Sequence, residues 1–415
     1  MKETKKVGFM TIFSIVCLWF STHAGGGFAS GNSVTNYFAQ YGWCVLIAPT
    51  ITFALLGFCY RQVIVMCNNH GFVNYKDLFQ ELWNPVPQLE ILFEIYFFVM
   101  VICAVGTSIA GAAELITEQL GINYVICILI VSIALLFLTI FGHTVIERAA
   151  TAMSIVILIC CFLIYFTGIH ARWDVLVDII SNMKSTSADG FTDHSAWKIV
   201  NGIITYAGFQ CGVVPALASC GVSLKKKRHA SKTMVIAGFL NAFALTLSGL
   251  TVVAFYTITK GSQIPMLKIC EELGGGLFSW AYAISLFMCF VSTGVSLIYG
   301  LVPRFENIKP LRKIDNIYIR RSIVSIAGMV IPALFSLVGL TNIVKYGYQF
   351  AGLLGFVVLL LPLMIIGTYK NWKFTKEHPN GGKMEVRYKI DMGELKPEDV
   401  KEKEYLEGPE PESRD

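Results

Sequence analysis

Charge is scarce in this chain of 415 residues: 15% are Asp, Glu, Lys or Arg, against 55% apolar. An ordinary soluble domain of this length cannot bury that much apolar surface, so the composition points to many membrane spans. Metal-site spacing is also lacking. Twelve cysteines lie mostly inside apolar runs with no CxxC pair. They read as small core residues, not as a disulfide framework or metal site. The histidines (His23, His70, His143, His170, His194, His229 and His378) keep no zinc-ligand spacing. No nucleotide-binding loop, dinucleotide fingerprint or HExxH motif is present, so nothing suggests an enzyme.

What the chain has instead is apolar runs. They fall near 9–41 (broken), 43–66, 88–118, 122–142, 145–168, 196–219 (interrupted), 230–257, 275–302, 318–339 and 341–369. Each is long enough to cross about 30 Å at about 1.5 Å per residue. An all-α integral membrane domain of ten helices is expected over residues 1–369, with residues 370–415 as a polar, disordered tail. Lys2 to Phe20 also has the layout of a signal peptide. Cleavage near Ala24 would leave Phe28–Tyr41 without a span to belong to.

Orientation follows from Lys and Arg. Lys2, Lys5 and Lys6 precede helix 1. Arg61 and Lys76 flank the 2–3 connection, and Arg148 lies at the 4–5 turn. Lys225-Lys226-Lys227-Arg228 and Lys232 lie between helices 6 and 7. Arg304, Lys309, Arg312, Lys313, Arg320 and Arg321 lie between helices 8 and 9 or at the start of helix 9. With ten helices all of these fall on one side, expected to be the cytoplasm of a bacterial inner membrane, together with both termini. The Lys225–Arg228 cluster then reads as a topology anchor and not as a nucleic-acid site.

Helix 1 breaks in its middle. Phe9 to Phe20 is apolar, Ser21-Thr22-His23-Ala24-Gly25-Gly26-Gly27 interrupts, and Phe28 restarts the run. Twelve helical residues rise only about 18 Å, so neither half spans alone. Unwound backbone at mid-depth is tolerated only against protein or a water-filled cavity. Helix 6 carries a second interruption, Gly208-Phe209-Gln210-Cys211-Gly212 followed by Pro215. Five helices per half make the halves inverted, and both breaks fall in the first helix of their half. Paired breaks of this kind point to a transporter site. The repeats are expected at about 7–168 and 195–369.

Gly25-Gly26-Gly27-Phe28-Ala29-Ser30-Gly31-Asn32, followed by Tyr37-Phe38 and Tyr41-Gly42-Trp43, resembles the G-A-G-F-A-[ST]-G-Q-E segment of the YkvI-like bacterial membrane proteins. These are relatives of the amino acid–polyamine–organocation superfamily. The resemblance implies a LeuT-type five-plus-five inverted repeat with helices 1 and 6 discontinuous. This chain has Asn32-Ser33 where that family tends to have Gln-Glu, so an acidic group is absent.

The break itself suggests a ligand. Glycines let backbone approach closely. Free N–H groups around Gly26 to Ala29 suit a carboxylate, and carbonyls near Thr22 to Ala24 suit a cation. An amino acid or related zwitterion satisfies both, with His23, Ala24, Gly25, Gly26, Gly27 and Phe28 around it and Gly208 and Gln210 at the second break. The LeuT-type architecture implies flanking aromatics from helices 3 and 6: Tyr96, Phe97 and, in the same turn, Phe98, with Tyr206 and Phe209. It also implies a sodium site between helix 1 (Thr22, Gly25) and the helix 8 hydroxyls Ser292 and Thr293. His23 is the ionisable group at the break, either a proton-coupling residue or a neutral imidazole bonded within the bundle. Glu94 and Glu114 of helix 3 are proton-relay candidates.

The expectation is a secondary active transporter coupled to Na+ or H+, with no other cofactor or metal and no nucleic-acid partner. The alternatives are a membrane sensor that binds solute without transporting it, or a channel. A channel would need a continuous polar pore, and no ring of charge or repeated filter segment is present.

Overall fold

The computed structural model of the chain describes residues 7–141, 143–305 and 310–400, and no strand occurs among them. Among the described residues each of the apolar runs carries helix. α1 is split into α1a (Phe9–His23) and α1b, the latter made of two short pieces, Gly26–Ala29 and Asn32–Tyr37. α2 (Ala48–His70), α3 (Ile91–Leu120), α4 (Tyr124–Phe141) and α5 (His143–Ala171) complete the first half. The second half has α6a (Ala196–Gln210), α6b (Val214–Gly221), α7 (Lys227–Ala254), α8 (Gly276–Phe305), α9 (Ile317–Ser336) and α10 (Leu340–Glu377). Among the described residues seven helices can each cross a bilayer, and a pair bent by 76° at Ala171 makes an eighth. α1a is too short to do so and reaches spanning length only together with α1b.

Packing shows the inverted repeat. α2 packs on α7 and α3 on α8, while α1a packs on α7 as α6a does on α2. Likewise α5 packs on α8 as α10 does on α3. Exchanging the halves maps the first two contacts onto themselves and the other four onto one another in pairs. The α6–α10 crossing is close enough for backbones to touch. A Cβ at Gly208 would sit 1.8 Å from the Gly352 carbonyl oxygen, and one at Gly352 would sit 2.2 Å from that of Thr205. Only glycine fits there, as at other tight crossings in membranes.

The outer surface is apolar. Leu129, Ile133 and Phe137 on α4 and Val235 and Phe239 on α7 are all exposed. Such a belt is what a multi-pass membrane protein presents to lipid. Contacts also sort the ends of the helices. Asn69 Nδ2 donates to Asn371 Oδ1 (3.1 Å), Lys370 donates to Glu81, and Lys226 pairs with Glu394 (3.1 Å). The α2–α3 connection, the α6–α7 loop and the tail therefore share one face. On the opposite face Trp43 N–H donates to Lys184 O (3.2 Å) and Met266 N–H to Ser30 O (3.1 Å). Lys2, Lys5, Lys6 and Lys309 of the expected basic face, and the side chains of Arg148 and Arg304, lie outside the described residues.

The tail departs from expectation. Up to Val400 it is not a disordered appendage, because α11 (Lys383–Asp391) lies against α2 with Val386 and Tyr388 buried. A Cβ at Gly382 would meet Asn69 Cα at 2.3 Å, and the Lys226 ammonium lies 4.9 Å from the Tyr388 ring centroid. Two buried anchors and a neighbouring basic loop give this Lys/Glu-rich segment a surface to fold on. Residues 401–415 lie outside the described residues.

Candidate functional site

α1a stops at His23. Ala24 N–H still closes on Phe20 O (2.8 Å), but Gly25 is extended (φ −70°, ψ 179°) and the helix restarts at Gly26. That is earlier than the expected restart near Phe28. The N–H groups of Phe28 and Ala29 both bond Gly25 O at 3.0 Å, so they are not free. Among the described backbone bonds, the N–H groups of Gly25, Gly26 and Gly27 and the carbonyls of Thr22 and His23 take no partner. The glycines also make room for a side chain, since a Cβ at Gly26 would lie 2.3 Å from Phe290 Cδ1.

α6 is interrupted less than expected. Between α6a and α6b lies one 3₁₀ turn, Cys211–Val213, with right-handed helical geometry kept at Gln210 (φ −68°, ψ −15°) and Val213 (φ −78°, ψ −14°). The expected discontinuity is a tightened turn because α10 clamps the backbone at Gly208. Carbonyls loosened there are met by tyrosines. Tyr96 Oη lies 3.0 Å from the carbonyl oxygens of both Gly208 and Phe209, and Tyr60 Oη donates to Gln210 O (2.8 Å).

A cavity of about 420 Å³ opens between α1, α3, α6, α8 and α10. His23, Gly25, Gly26, Gly27, Phe28, Phe97, Tyr206, Phe209 and Gln210 line it, as do Thr22, Ser292 and Thr293. Ala24, Tyr96 and Gly208 do not. Tyr96 is fully buried behind α6, Gly208 faces α10, and Ala24 O takes a weak bond from Cys289 Sγ (3.9 Å). Phe98, Glu94 and Glu114 also lie off the lining; Glu94 accepts from Tyr75 Oη (2.8 Å).

His23 joins the two repeats. Its Nδ1 lies 2.8 Å from Asn241 Oδ1 and its Nε2 lies 2.9 Å from Tyr206 Oη. The Asn241 amide nitrogen donates to Ala237 O (2.8 Å), so its oxygen faces the imidazole and Nδ1 carries the proton. Nε2 pairs with the Tyr206 hydroxyl, which can donate to a neutral ring or accept from a protonated one. Both expected roles of His23 are compatible with these partners.

Thr293 Oγ1 donates to Cys289 O (2.9 Å) and Ser292 Oγ donates to the same carbonyl (3.1 Å). Their lone pairs remain for another partner. Thr293 Oγ1 also lies 4.0 Å from where a Gly25 Cβ would be, so the helix 8 hydroxyls do adjoin the helix 1 break.

Other lining residues escaped the sequence reading. Thr107 and Ser108 hold the same register in α3, counted from Ile91, as Ser292 and Thr293 hold in α8, counted from Gly276. Applying the repeat to the hydroxyl pair would have found them. Asn241 is not a lining residue but holds His23 from behind, and as a polar residue inside an apolar run it carried a signal of its own. Phe290 and Tyr348 carried none.

The cavity is closed at one end. Phe209 stacks on Tyr348 (centroids 4.8 Å apart), Tyr37 packs on Tyr206 and Phe209 (5.7 and 5.6 Å), and Tyr37 Oη donates to Val344 O (2.7 Å). At the other end Ser21, Thr22 and Ser296 are exposed, on the side towards which α6b and the basic α6–α7 loop run.

No protein-family model matches the chain. It is 19% identical over 305 residues to the uncharacterized membrane protein YkvI of Bacillus subtilis (strain 168), across 71% of this chain and 81% of that protein. This agrees with the resemblance carried by Gly25–Asn32. Two solved structures share the architecture. One is a manganese transporter of Eremococcus coleocola (11% identity, 91% of this chain, 94% of that chain, TM-score 0.53). The other is MhsT in complex with L-phenylalanine (14% identity, 88% and 98%, TM-score 0.52).

The fold is LeuT-type. In this LeuT-type chain the first helices of the two repeats meet at the cavity, where His23 and Tyr206 bridge them.

Proposed function

We propose that the protein is a secondary active transporter that carries an amino acid or related small zwitterion by alternating access, coupled to Na+. The observation that carries this reading is the unpaired backbone at Thr22–Gly27. Among the described backbone bonds three N–H groups (Gly25, Gly26 and Gly27) and two carbonyls (Thr22 and His23) have no partner within six residues, beside a cavity whose lining has no Asp, Glu, Lys or Arg. A net-neutral ligand bearing a carboxylate and an ammonium group satisfies both sets without burying an uncompensated charge. The wall of Phe28, Tyr206, Phe209 and Phe290 suits an apolar side chain, and about 420 Å³ lies within the range of small-molecule sites.

A divalent metal substrate, as named for the Eremococcus protein, fits this chain poorly. Among the described residues no group of three His, Cys, Asp or Glu is placed to hold a metal ion, and hard divalent cations favour carboxylate oxygens. Na+ is supported by Ser292 and Thr293 beside Gly25, with free carbonyls nearby. Proton coupling through His23 is the second reading, and the two neutral partners of His23 favour it less. The sealed aromatic end supports a carrier over a channel. The basic face, with both termini, is assigned to the cytoplasm, so the open end of the cavity faces inward.

Uptake into proteoliposomes tests the reading. Accumulation of a neutral amino acid that collapses when the Na+ gradient is removed supports it. Binding without accumulation under any gradient favours a sensor.

A further inference from the structure

A second cavity, about 630 Å³, lies on the lipid-facing surface between α2 and α7; it shares no lining residue with the substrate cavity, from which Phe53 separates it. Its walls are apolar: Phe53 and Phe58 from α2 and Met234, Phe239 and Phe243 from α7. Its floor is deepened by Gly57 and Gly238. A Cβ at Gly57 would lie 3.4 Å from Met234 O, and one at Gly238 would lie 3.3 Å from Phe53 O. Behind both glycines, 3.8 Å from each such Cβ, stands Trp19 of α1a.

The groove has one charged end. Arg61 lines it and donates from Nε to Ser231 Oγ (2.7 Å), and among the described residues it has no carboxylate partner. An ionisable side chain on a lipid-facing wall needs a counter-charge or an exit to the headgroup region. Lys232 and Arg228, one and two turns from Val235 along the same stripe of α7, are both exposed at this end. From Thr50 to Arg61 the groove follows α2 for about 17 Å, close to half the roughly 30 Å of a hydrocarbon core. The shape is an apolar slot of one-leaflet depth with a basic mouth on the face of the α6–α7 loop.

We propose that this groove binds one anionic phospholipid from the leaflet on the basic side, with an acyl chain between α2 and α7 and the headgroup phosphate on Arg61. Basic pockets between helices at this level suit such headgroups. The bound chain lies across the glycine floor against Trp19, so its occupancy bears on the packing of α1a. This holds whatever the transported substrate is.

The test is native mass spectrometry of the full chain in detergent after delipidation and titration with phosphatidylglycerol or phosphatidylcholine, with melting temperature as a second readout. Wild type should retain one phosphatidylglycerol in preference to phosphatidylcholine and melt higher with it. Arg61→Gln should weaken that retention about fivefold, the worth of one basic contact, and Arg61→Lys should largely restore it. Ala54→Trp, which fills the slot from an exposed position, should displace the lipid while the lipid-free melting temperature stays put. Equal retention of both lipids, or undiminished phosphatidylglycerol retention in Arg61→Gln and Ala54→Trp, overturns the proposal. So does a dimer that Ala54→Trp dissociates, since the groove would then be covered by a second copy.

Discussion

His23 Nε2 lies 2.9 Å from the Tyr206 hydroxyl, a direct side-chain bond between the broken first helix of one repeat and the first helix of the other. His23 is 2% exposed and Tyr206 0%, so the bond is sheltered from bulk water. Tyr206→Phe keeps the ring and removes the hydroxyl, leaving a buried nitrogen without its partner. The expected cost is about 1–3 kcal/mol in stability, with substrate affinity about tenfold lower. Isothermal titration and thermal melting of the variant check both. Unchanged values in both would mean that the bond does not hold the two breaks together.

Gly26 is fixed by Phe290. The ring fills the space of a Cβ at Gly26, and its far end fills that of Gly111, where the distance to Phe290 Cζ is 2.2 Å. Phe290 cannot swing away from one glycine without meeting the other. Gly26→Ala should therefore abolish ligand binding, and Gly26→Leu more firmly, with a monodisperse folded protein in each case. Phe290→Val in the Gly26→Ala background should recover part of the binding. A Gly26→Ala protein that binds like wild type would remove the helix 1 break from the site.

Thr293→Val exchanges a hydroxyl for a methyl of similar shape. The oxygen beside Gly25 is lost, and the Cys289 carbonyl keeps a bond from Ser292 (3.1 Å). Ligand binding should become weaker and lose its dependence on Na+, which titration in sodium and in choline buffers reads directly. If binding still responds to Na+ as in wild type, the cation lies elsewhere.

The docked tail predicts protection. Amides of Lys383–Asp391 should exchange with deuterium more slowly than those of a free peptide, because Val386 is 1% exposed and Lys226 pairs with Glu394. Truncation before Pro379 should raise protease cleavage within 225–232. Fast exchange across α11 would return the segment to the disordered reading.

The sequence made the ten runs, the basic face and the helix 1 break legible because bilayer thickness and backbone desolvation act on local strings of residues. The position of the break was readable to within two residues, since three consecutive glycines have few other uses in a span. Helix 6 was harder. Gly208, Gly212 and Pro215 signal a weakened ladder, but whether the ladder opens or tightens depends on Gly352 and on Tyr60 and Tyr96, contacts across 112 to 150 residues of chain. Tyr96 shows the same limit: its aromatic ring suggested substrate, while its hydroxyl serves the α6 backbone. The tail was misread because composition reports charge and not the partner surface waiting for it.

The measurement that bears most directly on the central claim is the melting temperature of the purified protein, in Na+, against a neutral amino acid, its methyl ester and its decarboxylated amine. A ligand specific for the native state raises the melting temperature by mass action. A rise with the amino acid alone is expected, because the free N–H groups of Gly25, Gly26 and Gly27 need a carboxylate and the carbonyls of Thr22 and His23 need an ammonium group. Equal rises with the ester or the amine, or none with any amino acid tried, would contradict it.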